Sequence, residues 1–238
     1  MKKGFTLVEL LAVIIILSLI SFIGIISIES IVKKGVEKSY QAQISEMKTA
    51  AEKLVKVNGI PSWCEGEICF ISLRYLAFNN YIKLKDIIYE AAEGDTLNSI
   101  ASKYNMTVEE LRKYNSFDSV SKGTKVTIPA SKSYGEYTNP KTDKSFSLET
   151  VVMVKKYGAN YTFEAFESLD ALNSSYLAKA KKEALSASAI IYKELGFCGS
   201  NDPCQLRPSN LVGKNLLEAN FYSDVNITIS SDNTVNIG

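Results

Sequence analysis

The hydrophobic pattern divides this chain into stretches of different period. Residues 10–28 carry no charge and are almost wholly apolar, with one acid, Glu9, at the lip of the run. About twenty apolar residues at ~1.5 Å each match the ~30 Å hydrocarbon core of a bilayer, so the run predicts a membrane span over about residues 7–28. From Glu29 the apolar positions thin to Ile31, Val32, Val36, Tyr40, Ile44, Met47, Ala51, Leu54 and Val55, three and four apart. That spacing continues one helix as an amphipathic rod to about residue 57, where Asn58-Gly59 and then Pro61 stop it. A carboxylate at the edge of a span is costly and calls for a partner.

Beyond the rod the period keeps changing. Ser72 is placed to cap a short helix over 73–79. Leu97, Ile100, Ala101, Tyr104, Val108 and Leu111 recur at helical spacing. Residues 134–166 read as strands, with apolar stretches at 146–148 and 151–154, alternation at 161–166, and turns at 139–143 and 158–160. An amphipathic helix follows at 172–195, then a short helix over 211–218 and strands at 225–229 and 234–237. The fold class is α+β, fronted by the long helix. The last seventy residues look like a partial repeat. Helix 172–195 stands for 40–57, Gly196-Phe197-Cys198 for Gly59 through Cys64, and Asn220-Phe221-Tyr222 for Asn80-Tyr81. The alternative is an ordinary α/β extension with a coincidental pattern.

Composition narrows the chemistry. The 238 residues carry a net charge of +1 and no histidine. No Ser-His-Asp or Cys-His arrangement is possible, and no bulk charge or basic cluster argues for nucleic acid. Close acids such as Glu65 with Glu67 or Glu109 with Glu110 read as solvated faces. No catalytic residue, metal site or cofactor is expected, and the chain reads as a non-enzyme.

The string Gly4-Phe5-Thr6-Leu7-Val8-Glu9-Leu10 resembles the class III leader of type IV prepilins and type II secretion pseudopilins. A secretory signal would place its small-residue cleavage site after the apolar run, whereas here Gly4 precedes it. The resemblance implies a leader over 1–4, cleavage after Gly4 by a prepilin peptidase, methylation of Phe5, and a mature helix over 5–57. It also implies a cytoplasmic N-terminus, with the bulk of the chain outside. Glu9 sits one helical turn from Phe5, so in a filament its carboxylate can meet the Phe5 amine of the next subunit; two charges in an apolar bundle are tolerable when paired.

A second resemblance lies further on. Gly94-Asp95-Thr96-Leu97, the Ser99-Ile100-Ala101 that follows, Leu111 to Asn115, and Gly123 through Val126, Ile128 and Pro129 resemble a LysM module over 87–130. The resemblance implies a β-α-α-β unit in which strand 88–91 pairs with 126–128. It also implies a shallow groove for glycans containing N-acetylglucosamine, such as peptidoglycan. By position, Gly94, Asp95, Thr96 and Leu97 form one wall and Asn115, Ser116, Phe117 and Asp118 the other. Read singly, Asp95 and Thr96 serve equally well as helix caps.

Residues 58–86 and 131–168 look like one pilin-type head into which the LysM module is inserted, and 169–238 like a second head. In an extracytoplasmic setting the close cysteine pairs, Cys64 with Cys69 and Cys198 with Cys204, favour two local disulfides over zinc knuckles. The expected function is that of a minor pilin or pseudopilin displaying a wall-glycan module, with other pilin subunits, the peptidase, the membrane and peptidoglycan as partners. The alternatives are a wall-anchored membrane protein that never polymerises, and a DNA-uptake pseudopilin in which LysM only positions the machine.

Overall fold

The computed structural model describes residues 6–132 and 134–238, with the backbone alone for residues 19–27. Helix α1 (Leu7–Asn58) begins at Thr6, whose hydroxyl accepts the Glu9 amide while the Glu9 carboxylate accepts the Thr6 amide. It ends at Gly59, at φ +80, whose N–H bonds back to the Val55 carbonyl. At ~1.5 Å per residue its 52 residues extend for about 78 Å. Leu7, Val8, Ile14 and Leu17 are exposed, whereas Tyr40, Met47, Ala50, Ala51, Leu54 and Val55 are buried. Among the described side chains of the rod, those that pack on the rest of the chain lie in its distal part. Among the described residues no helix is long and apolar enough to cross a membrane; the span expected at 7–28 runs through residues 19–27, whose side chains lie outside that description.

The first sheet has the order β1-β6-β7, with β1 (Ile68–Ser72) antiparallel to β6 (Val151–Tyr157) and β6 hairpinned to β7 (Asn160–Ala165). One face, Cys69, Ile71, Val152 and Val154, packs on α1 and on α2 (Leu73–Phe78). The other face, Phe70, Val151 and Met153, packs against Leu172 and Ala180 at the start of α5 (Ser174–Glu194). Because helices cover both faces, residues 151–154 form a continuous apolar run instead of an alternating one.

Two expectations change here. Residues 68–72 form a strand where the sequence pattern predicts none. Residues 146–148 are no strand: β4 (Thr138–Asn139) pairs with β5 (Lys144–Ser145), and Phe146 and Leu148 then drop into the core. The following backbone caps α2, with the Leu148 and Thr150 carbonyls accepting the Arg74 and Leu73 amides.

The LysM segment folds as β2 (Ile87–Glu90), α3 (Leu97–Lys103), α4 (Val108–Arg112) and β3 (Lys125–Ile128). The strands are antiparallel with Ile87 opposite Ile128, around a core of Leu97, Ile100, Leu111, Val126 and Ile128. The entering and leaving chains lie side by side: Lys85 pairs with Glu136, and Asp86 accepts the Ala130 amide. An excursion whose ends are adjacent leaves the surrounding sheet undisturbed.

The C-terminal part has the same connectivity. Helix α5 leads through Cys198 to β8 (Cys204–Leu206), α6 (Pro208–Val212), β9 (Ile227–Ile229) and β10 (Val235–Ile237), with sheet order β8-β9-β10. Cys204, Arg207, Leu211 and Asn215 repeat, residue for residue, the spacing of Cys69, Ser72, Leu76 and Asn80. Asn80 and Asn215 are both at positive φ, and the residue after each donates to the carbonyl of its leucine, Leu76 or Leu211. Asn215, not Asn220, is thus the counterpart of Asn80. The short helix also starts earlier than the expected 211–218, because its proline sits at the first helical position.

The two units are not beads on a string. α5 presents Ala180 to the first sheet, while Leu185, Ala189 and Ile191 enter the C-terminal core with Leu211, Ile227 and Ile229. Its many alanines and serines allow sheet and helix to approach from both sides. Arg74 bridges the units as well, donating to the Glu149 carboxylate and to the Asn215 carbonyl.

Candidate functional site

The LysM helices are set by local capping. Thr96 caps α3 in a reciprocal pair with Ser99, and Thr107 caps α4 in one with Glu110. Gly94 turns the chain into α3 at φ +87, a conformation that suits glycine. The Tyr89 hydroxyl and the Ala92 amide both donate to Asp95 Oδ2, at 2.7 Å each, and hold its carboxyl below the usual range. Asp95 is therefore the brace of this turn.

Opposite, the segment after α4 approaches to form a groove of about 250 Å³ lined by Asp95, Thr96, Leu97, Asn98, Val108, Arg112, Asp118, Ser119 and Val120. Val108 and Val120 give it apolar walls, and Arg112 and Asp118 stand 3.7 Å apart at its mouth. Of the eight residues expected here, Asp95, Thr96, Leu97 and Asp118 line the groove. Gly94 shapes the turn beside it, and Ser116 is exposed outside it. Phe117 packs against the domain core. Asn115 faces inward: its amide donates to the Leu111 and Thr127 carbonyls and its oxygen accepts the Thr127 amide, all at 2.8 Å.

Asn98, Val108, Arg112, Ser119 and Val120 also line the groove, beyond the positions that the resemblance implies. The four-residue step from Val108 to Arg112, on one face of a helix, was the available signal. Asn115→Ala is expected to lower the stability of this module by about 1–3 kcal/mol, since it strands the Thr127 amide and carbonyl. Faster hydrogen exchange at Thr127, with the Phe70 amide unchanged, is the measurement that checks it.

At the other end of the chain, Gly4 and Phe5 lie outside the described residues. Both the Thr6 amide and the Thr6 hydroxyl donate to Glu9 Oε2, at 2.9 Å each. Cys64 is bonded to Cys69 and Cys198 to Cys204, so the pairs close two separate local loops. Cys64, Cys69 and Glu183 are brought together, and with the cysteines joined the sulfurs carry no thiolate charge to offer a cation.

Comparison with known families agrees with both resemblances. Residues 89–129 match the LysM domain, and residues 1–25 match the prokaryotic N-terminal methylation motif. The chain thus carries the class III prepilin leader and a LysM domain in one polypeptide. No curated protein and no solved structure matches it.

Proposed function

We propose that this chain is a non-catalytic minor pilin or pseudopilin that carries a peptidoglycan-binding module. The observation that carries this reading is the groove between residues 95–98 and 118–120, built on a LysM domain within a chain that has the prepilin leader. In it, Val108 and Val120 pack on the acetamido methyl of an N-acetylglucosamine unit, and Thr96, Asn98 and Arg112 offer hydrogen bonds to its polar rim. The span at 7–28 anchors the chain with its N-terminus cytoplasmic until a prepilin peptidase cuts after Gly4, and other pilin subunits then take up the helix. The equivalence of the two sheets supports reading 169–238 as a second head that has no membrane segment of its own.

The glycan claim is tested by co-sedimentation of the full chain with purified peptidoglycan, beside a chain lacking 87–130 and a Val108→Asp variant. Both changes are expected to weaken retention at least about tenfold, some 1.4 kcal/mol. Equal retention of all three proteins overturns it. Blotting of sheared surface filaments separates an assembled subunit from a wall-anchored protein that stays with the cells.

A further inference from the structure

The Cys64–Cys69 disulfide has a buried acid at its back. Glu183, on α5, is 4 % exposed, and one of its carboxylate oxygens lies with the two sulfurs inside a 4.8 Å cluster. The Phe70 amide donates to Glu183 Oε2 at 2.6 Å, and Lys179 Nζ stands 3.6 Å from Oε1. Burial pushes the Glu183 carboxyl up to about 7 against the opposing pull of that amide and of Lys179, and Glu65 adds to the rise. A cavity of about 430 Å³ between the two units is lined by this acid with Lys179, Lys182 and Glu65, and by Trp63 and Tyr222 as aromatic walls. A second cavity, of about 180 Å³, is lined by both cysteines of this disulfide together with Ile60, Val154, Lys156 and Tyr161, among others. Cys198–Cys204 holds the matching place at the start of β8, and among the described residues no carboxylate clusters with that pair.

We propose that Cys64–Cys69 is a site of thiol–disulfide exchange with dithiols, in which Glu183 is the proton donor to the leaving sulfur of Cys69. A thiolate of the incoming dithiol attacks Sγ of Cys64, the more exposed of the two cysteines. The S–S bond breaks, its electron pair goes to Sγ of Cys69, and that sulfur takes the proton of Glu183. The second thiolate of the reagent then attacks the reagent's own sulfur in the mixed disulfide. Cys64 is released as a thiolate that is protonated from water, and Glu183 regains its proton from water. Two electrons and two protons enter the protein, and the dithiol leaves as its cyclic disulfide. A bare thiolate at Cys69, only 4 % exposed, would carry a full desolvation cost, and a proton held beside it removes that cost. Run backwards, the same steps close the disulfide, with Glu183 accepting the Cys69 proton. Because Cys69 lies in β1, whose far face packs on α5, exchange here acts on the seam between the two units.

The test uses the full chain in detergent with dithiothreitol, alkylation of freed thiols, and mass spectrometry to score the two disulfides separately. Cys64–Cys69 is expected to open faster than Cys198–Cys204. Its rate per reagent thiolate should fall roughly tenfold between about pH 6 and pH 8, as the acid form of Glu183 is lost. Glu183→Gln should abolish that fall and slow opening at the acid end on the order of tenfold or more, with Cys198–Cys204 unchanged. Lys179→Met keeps the acid and removes a cation, so it should move the inflection to higher pH. Identical pH dependence of the two disulfides overturns the proposal, as does an unmoved inflection in Lys179→Met or a Glu183→Gln profile that still falls.

Discussion

Replacing Arg74 by methionine is expected to lower the stability of the folded chain by about 3–5 kcal/mol. Arg74 Nη2 lies 2.6 Å and Nε 3.0 Å from Glu149 Oε1, with side chains 4 % and 1 % exposed. Its Nη1 donates at 2.8 Å to the carbonyl of Asn215, in the C-terminal unit. Removing the guanidinium leaves the Glu149 carboxylate without its cation among buried groups, and close to a second acid. That second acid is Glu218, whose carboxyl is pushed up first by burial and then by Glu149 itself. The cost comes from an orphaned charge more than from lost attraction, so removing both partners should cost far less than removing one. Arg74→Met with Glu149→Leu is therefore expected to recover most of the loss. Denaturant unfolding followed by Trp63, the single tryptophan, measures both variants. A single variant within about 0.5 kcal/mol of the parent would remove the pair from any structural role. A double variant as unstable as the single one would mean that packing, not charge, is what Arg74 supplies.

Arg74 also shows where the sequence stops being legible. The features that could be read are those fixed within a few residues: the stop at Gly59, the cap at Ser72, and the hairpin of β6 with β7. The close cysteine pairs belong here as well, since each loop closes over five or six residues. Strands β1 and β8 were hidden because they are short and begin beside a cysteine, and because β1 is buried on both faces, which erases the alternation that marks a half-exposed strand. Nothing local announces that Arg74 and Glu149 meet, or that α5 serves two sheets, because those contacts are decided only once both units are packed. Glu183 did carry a signal: an acid among Ala180, Ala184, Leu185 and Ala187, on a helix otherwise buried there, must have a partner. In the LysM groove the wall formed by residues 95–97 follows from the capping turn. The opposite wall depends on which way the chain leaves α4, and Asn115 turns that segment inward by binding β3.

Glu9 offers the sharpest test of assembly, because the structure gives it a competing local role. Its carboxylate completes the capping pair with Thr6, worth about 0.5–2 kcal/mol to a helix start. If capping were all that Glu9 does, Glu9→Gln would be nearly silent, since glutamine closes the same reciprocal pair. If the carboxylate meets the Phe5 amine of a neighbouring subunit, glutamine keeps the cap and loses the charge. Burying an unpaired ammonium in an apolar helix bundle costs several kcal/mol, enough to exclude the subunit. Both Glu9→Leu and Glu9→Gln chains are thus expected to insert in the membrane and to fall at least about tenfold in sheared filaments. Glu9→Leu alone should also loosen the first helical turn. Normal incorporation of Glu9→Gln would assign the residue to capping. Membrane-retained but filament-excluded Glu9→Gln would assign it to pairing between subunits, where an acid beside a membrane span is tolerable because its partner comes with the next copy of the chain.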